Sequence, residues 1–569
     1  MTQLSMRSLW LYAMTARYLT VGQIFWRIWY RLIWWPTAKQ LTKSMQTTLA
    51  DNHGWTAPIT KPPSHNFENS FEFLNRKIDF QNAIDWEHSS CGRLWAYNLH
   101  YFDFLNGPPH SQQQERAVSG VSGQQLIQDW IDNNPPTKGT GWEPYPTSLR
   151  IVNWVKWALA DHSLCPLAID SLYCQAKWLS RRIEHHILAN HLFANLKALC
   201  FAAFFFDSPE SALWRRQALR LLDRELDEQF LADGAHFELS PMYHDIVLED
   251  VLDLINLFAG QSDADYDAIK FKLATTASRM LRWSLDARHP DQRIAFFNDA
   301  AFAIAPSIEA LRSYAARLSI KPSAMLQTDN SKNSETNKYI STLSDCGLVM
   351  LRGDLGFAIF DAGQIGPDYQ PGHAHADSLS FEYSWGPERV FVNSGTSTYA
   401  SCELRRSQRS TRFHNTVEVD NRDSSQVWAA FRVAKRARTQ LLESGQTNDG
   451  SVYVMASHDG YSGLRKSVIH TRKLTFGQNS LQIEDSLTGK WDSAVARFYL
   501  HPSVIPDGIN KLICASGQVF SLVTTGGYLR VSSSKWYHEF GLDTANHCLE
   551  FIFTSGHQGP HTFRMTAVS

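Results

Sequence analysis

The spacing of apolar residues along this chain changes once, near residue 335, and that change constrains the fold more than any other feature. Between residues 120 and 315 apolar side chains recur with helical period, over 124–133, 148–160, 169–206 (more than one helix), 211–230 and 245–258. The run 196–206 is almost wholly apolar but too short to cross a bilayer, which makes it a core helix. Helices in series with short connections predict hairpins arranged in a toroid or solenoid. Residues 325–337 are polar, rich in helix breakers, and read as a linker. Beyond them come short strand-like segments at 347–351, 357–360, 389–392, 415–419, 451–456, 466–476, 480–485, 494–501, 519–523 and 529–532. Many short strands with Gly or Asn turns predict an antiparallel β-sandwich. The expected plan is a basic aromatic arm over 1–60, a helical domain over 61–335 and a β-sandwich over 336–569.

A chain of 569 residues is too long for one ordinary core, in keeping with that division. Its net charge of −2 gives no reason to expect nucleic acid as a partner. Eight scattered cysteines without a CxxC read as free thiols. The first 50 residues hold no Asp or Glu, but Arg7, Arg17, Arg27, Arg31, Lys39 and Lys43 among many aromatic residues. Arg17 interrupts the apolar run and no small-residue cleavage site follows, so this segment does not read as a secretory signal. The expectation is a helix packed on the body with its arginines in solvent. Peripheral contact of residues 1–45 with an anionic membrane is the alternative.

The densest chemistry is Gly372-His373-Ala374-His375-Ala376-Asp377, with His414 following in Phe413-His414-Asn415-Thr416. Two histidines two residues apart on an extended segment point to one side, and imidazoles move protons or bind metals near neutral pH. In the helical half, Asn190-His191 opens the core helix, and His191 and Asn195 share a face. A loop from Asp233 to His244 carries His236, Glu238, Ser240 and Tyr243. Glu143 with Tyr145, and Asn298 with Asp299, are further candidates. Each of these groups, taken singly, also fits hydrogen-bonded packing.

Taken in order, Asn190-His191, Ser240-Pro241-Met242-Tyr243-His244, the His373–Asp377 segment and His414-Asn415-Thr416 resemble the heparinase II/III-like polysaccharide lyases, over residues 142–499. The resemblance implies an incomplete α/α toroid followed by an antiparallel β-sandwich. It implies β-elimination on a uronic-acid-containing polysaccharide, an anionic glycan partner, and no organic cofactor. By the same resemblance Asn190 and His191 hold the uronate carboxylate, and Tyr243 and His373 move protons at C5 and at the leaving oxygen. Glu238, His244, Tyr399 and Arg409 are the substrate-binding expectations. Arg405, Arg406, Arg409 and Arg412 offer positive potential for an acidic chain. His375 and His414 match histidines that hold a structural metal, commonly zinc, in relatives. The third ligand position falls on Asn393, where relatives have an aspartate. An amide is a poorer zinc ligand than a carboxylate. Two other functions compete: a glycoside hydrolase using a pair among Glu143, Glu238, Asp299 and Asp377, and a non-catalytic glycan-binding protein of capsule or O-antigen assembly. The expected location is the cytoplasm or the inner membrane, with the periplasm as the alternative.

Overall fold

A computed structural model describes residues 6–32, 54–66, 69–107, 123–160, 162–261, 263–324, 339–463 and 467–568. The linker expected at 325–337, and Trp34, Trp35, Lys39 and Lys43 of the arm, lie outside the described residues. The helical half comprises α3 (Arg93–Tyr101), α4 (Gly123–Asn133), α5 (Pro144–Leu159), α6 (Pro166–Leu179), α7 (Ala189–Phe205), α8 (Pro209–Glu228), α9 (Pro241–Ala259), α10 (Asp267–Asp286) and α11 (Ile308–Arg317). It follows α1 (Met6–Ala16) and α2 (Val21–Leu32). Neighbouring helices pack side by side into an open α/α toroid. α7 is its spine, flanked by α5, α8 and α9. Leu192, Phe193, Leu196, Leu199 and Phe201 are fully buried on all its sides, as a helix apolar all round must be. A three-stranded sheet (His65–Asn66, Ser70–Phe73, Arg76–Asp79) is added to this half.

From Tyr339 onward the chain is antiparallel sheet. Five strands between Tyr339 and Phe391 form a meander in chain order. An eight-stranded and a four-stranded sheet follow. The three share one core, in which Phe391 and Phe498 pack on each other and on Phe381 and Phe563. Alternation is clean in Val468–Phe476, where every second residue is buried. A short helix, α12 (Glu403–Gln408), carries Arg405 and Arg406.

Within the described residues of the arm, α1 and α2 are joined to both halves. Tyr30 donates to the carbonyl of Ile183, and Trp26 stacks on His185 at 4.8 Å. Gln23 Nε2 donates to Tyr369 O at 3.1 Å, and Trp428 Nε1 to Thr15 Oγ1 at 3.1 Å. Packing on the body is therefore seen, while Trp10, Phe25, Ile28 and Trp29 stay exposed on the outer side. Among the described residues no helix is long and apolar enough to cross a membrane.

Buried neutral histidines give the fold an acid sensitivity. Burial pushes His100 and His244 down to about 3. Unfolded, each binds its proton near pH 6.5, so the unfolded chain holds more protons below that value. The stabilising contribution is complete above about pH 6.5 and shrinks as pH falls toward 3. At pH 5 each site contributes about 2 kcal/mol less than at pH 7. Urea midpoints at pH 7 and pH 5 measure this loss, and an unchanged midpoint would contradict it.

Candidate active site

Between the two halves lies a groove of about 1420 Å³. Asn190, His191, Tyr243, His373 and Tyr399 all line it. The backbone places them with some strain. Leu188 and Ala189, before Asn190, have φ of +70° and +51°. Leu239 after Glu238 and Asn298 before Asp299 have φ of +56° each. Left-handed non-glycine residues are costly and persist only where surrounding contacts hold them. Here Ser240 caps α9, its Oγ accepting from Tyr243 N at 3.2 Å and donating to Asp299 O. Tyr243 is thereby fixed in the first turn of α9.

Asp299 is the hub of the site. Its carboxylate accepts from His373 Nδ1 at 2.9 Å, from His375 Nε2 at 2.9 Å, from both terminal nitrogens of Arg405, and from Thr396 Oγ1 at 3.4 Å. Its backbone N–H donates to His373 O at 3.0 Å. The carboxylate is fully buried, yet the Arg405 guanidinium and the two imidazoles outweigh burial and hold it well below its ordinary value. An ionised Asp299 requires Nδ1 of His373 to carry the proton. Nε2 is then the basic nitrogen, and it lies 3.3 Å from Asn190 Nδ2. The His373 ring stacks on Tyr243 with centroids 3.7 Å apart, so the imidazole and the phenol share one stretch of the groove.

The Tyr243 hydroxyl is 3.1 Å from that of Tyr399, over which Arg405 lies at 4.9 Å. Burial, then the Tyr399 and Tyr145 phenols, push Tyr243 well above its ordinary value, so it rests protonated. Asn190 donates to Glu238 Oε2 at 2.7 Å, which orients its amide. His191 Nδ1 faces Glu184 Oε1 at 3.2 Å. Burial opposes charge on His191, but Glu184 outweighs it and raises the imidazole above its ordinary value. Asn195 locks Glu184 from the other side, through Glu184 N at 2.7 Å and Glu184 Oε2 at 3.1 Å. Both Asn190 and His191 stand in the first turn of α7, where unpaired N–H groups and the helix dipole favour an anion.

Three of the expected substrate-binding residues are placed elsewhere. Glu238 is buried behind Asn190 as its orienting partner. His244 spends both ring nitrogens inside the fold, on His236 N and Met280 O, beneath Trp283. Arg409 is fully buried and donates to the carbonyls of Ala374 and Ala429, which supports the His373 segment from behind. Tyr399 alone of the four reaches the groove. Arg405 is likewise buried on Asp299, whereas Arg406, paired with Glu403, and Arg412 are exposed. Glu184 and the role of Asp299 went unassigned in the sequence. Asn298-Asp299 stood out as a motif, but nothing local connects Glu184 to His191.

His375, Asp377 and His414, all buried, bring ligand-type atoms within 4.8 Å of one another. His375 Nδ1 faces His414 Nε2 at 3.2 Å, while Nε2 of His375 is held by Asp299. Two imidazole ligands of tetrahedral zinc stand about 3.3 Å apart, from Zn–N lengths near 2.0 Å. The amide oxygen of Asn393 is taken by Asn415 N at 3.0 Å and lies beside His414 Nδ1 at 3.4 Å. It therefore supports His414 from behind, and Asp377 is the carboxylate grouped with the two imidazoles.

Known proteins agree with this architecture. The family model for the heparinase II/III N-terminus matches residues 36–323, and that for the heparinase II/III-like C-terminal domain matches 335–566. A heparin-sulfate lyase of Bacteroides stercoris is 25% identical over 331 residues, covering 55% of this chain and 46% of that protein. One from Pedobacter heparinus is 26% identical over 320 residues, covering 54% and 46%. The aligned part thus spans less than half the length of these two relatives. A crystal structure of heparinase III shares the fold with a TM-score of 0.66 at 16% identity, over 93% of this chain and 88% of that one. A heparan sulfate lyase mutant from Pedobacter heparinus gives 0.57 at 17% identity, over 88% and 82%. With both domain models matched in order across nearly the whole length, this chain belongs to the heparinase II/III family.

Proposed function

We propose that this protein is a polysaccharide lyase that cleaves a uronic-acid-containing glycan by β-elimination. One observation carries the reading: a proton-accepting His373 Nε2 and a protonated Tyr243 phenol stand together beside Asn190 and His191 in one groove. The C5 proton of a uronate leaves only if charge growing on the carboxylate is stabilised. His191, whose cationic form Glu184 favours, and the Asn190 amide at the mouth of α7 serve that purpose. His373 Nε2 takes the proton from C5, and Asp299 steadies the imidazolium that forms. Tyr243 gives its proton to the departing glycosidic oxygen, the C4–O bond breaks, and a C4–C5 double bond remains.

Hydrolysis finds less support. Of its candidate carboxyls, Glu238, Asp299 and Asp377 are buried and engaged, and Glu143 holds Arg93 and Tyr97. The test is a panel of alginate, hyaluronan and heparan sulfate, reading the ultraviolet absorbance of unsaturated ends. The heparin-sulfate lyases among the relatives are the reason to include the last. Saturated products carrying solvent oxygen, or no cleavage of any uronic polymer, would sink the proposal.

His375, His414 and Asp377 fit a divalent cation such as zinc, which when bound would tie the His373 segment to the His414 loop as a structural clamp. Chelation is then expected to lower the melting temperature by several degrees, with Asp377→Asn weakening metal retention. Metal analysis and thermal melts with and without chelator measure this. Protein that purifies without metal, and melts the same with or without added zinc, would refute the clamp.

A further inference from the structure

Helices α1 and α2 precede residue 36, where the match to the family's N-terminal domain begins. They nevertheless build part of the groove: Arg27 and Tyr30 of α2 line it together with Tyr243 and His373. Among the further arginines that line the same groove are Arg182, before α7, and Arg432, on the hairpin Val427–Trp428/Arg432–Val433. Aromatic faces hold both in place. Arg432 lies between Tyr12 and Trp428, 4.9 Å from each ring, and Arg182 lies over Tyr30 at 5.1 Å.

Arg182 has Glu184 among its charged neighbours. Among the described residues neither Arg27 nor Arg432 has a carboxylate in ion-pair range. Burial, then the neighbouring charges of Arg432 and Arg31, hold the Arg27 guanidinium below its ordinary value. His186, which also lines the groove, has a buried Nδ1 without a hydrogen-bond partner; burial, with Arg27 and Arg182, lowers it against the opposing pull of Glu184. Facing cations without a counter-charge cost stability, and the cost is relieved when an anion enters between them. The cluster is adjacent to the chemistry: His186 is four residues from Asn190, which the backbone can separate by at most about 14 Å.

We infer that α2 and the Val427–Val433 hairpin form a second anion subsite, with Arg27 and Arg432 gripping a carboxylate or sulfate on a sugar beyond the one that reacts. The inference rests on the lyase reading for the sugar's identity, but not for its anion. The arm is then a specificity element: it favours chains whose neighbouring unit is charged and adds nothing to the chemical step.

The test uses the full chain with Arg27→Gln, Arg432→Gln and the charge-preserving Arg27→Lys. Melting curves that match the wild type show that the arm stays docked. Binding is read in the Tyr243→Phe background by affinity electrophoresis against alginate and hyaluronan, which carry carboxylates, and heparan sulfate, which adds sulfates. Arg27→Gln and Arg432→Gln should each weaken retention about tenfold or more, as loss of a charge-assisted contact does. Arg27→Lys should stay within threefold of its parent, and the difference should fade at high salt. On a polymer that the wild type cleaves, KM should rise tenfold with kcat within twofold, since the contact is equal in ground and transition states. An effect confined to heparan sulfate assigns the subsite to sulfate, and an effect on all three assigns it to carboxylate. Should the wild type cleave nothing while the glutamine variants still lose binding, the lyase reading falls and the subsite stands. Unchanged retention and KM in both variants, or no polymer bound by the parent, would overturn the subsite.

Discussion

Tyr243→Phe is expected to lower turnover by about 10³-fold or more while glycan binding stays within a few-fold of the wild type, the range known for removing a positioned acid or base. The substitution deletes one hydroxyl. The ring that stacks on His373 remains, as do Asn190 and His191, so the pocket for the sugar acid keeps its shape. What disappears is the only proton that Tyr243 can give. Its high affinity for that proton suits an alkoxide-like leaving oxygen, which must be protonated as the C–O bond breaks. The measurement is the initial rate of unsaturated-end formation together with binding of the intact polymer. A variant within tenfold of wild-type turnover would falsify the assignment of Tyr243 as the acid.

Asp299→Asn should produce the second large effect, and on two readouts at once. An amide can turn its N–H2 toward His373 Nδ1, which moves the proton to Nε2 and leaves no base facing the groove. Loss of an orienting carboxylate behind a catalytic histidine costs about 10⁴ in kcat in the serine-protease triad, and a similar fall is expected here. The same change leaves Arg405 buried without its counter-charge. Removing one partner of a buried ion pair costs about 3–5 kcal/mol, so the melting temperature should drop as well. Arg405→Gln provides the control: it lowers stability but leaves the carboxylate on His373. If the two variants lose activity equally, Asp299 acts through stability and not through the tautomer.

Much of the architecture was legible in sequence because it is local. The helices α4 to α9 and ten of the strands follow from apolar spacing within a dozen residues. Exceptions have the same explanation in reverse. The small sheet over residues 65–79 has one buried face supplied by Phe71 and Phe73, too short a pattern to separate from loop. α12 is six residues long and is held by Arg405 reaching Asp299, a contact 106 residues away. Asn190, His191, Tyr243 and His373 were found by the order of their motifs, and the structure brings them to one groove. His244, Glu238 and Arg409 are buried off the groove, and burial is invisible in a motif: a histidine next to Tyr243 on a helix is turned about 100° from it.

Sequence alone determined the helical-then-β order and the residue types available for proton transfer, since periodicity and composition are properties of neighbours along the chain. Tertiary structure alone decided which nitrogen of His373 is basic, because the deciding carboxylate stands 74 residues away. It also gathered His375, Asp377 and His414 into one buried cluster, and laid α2 of the N-terminal arm along the groove. Protonation, ligation and groove shape depend on distances of a few ångström between segments remote in sequence, and only packing sets those distances.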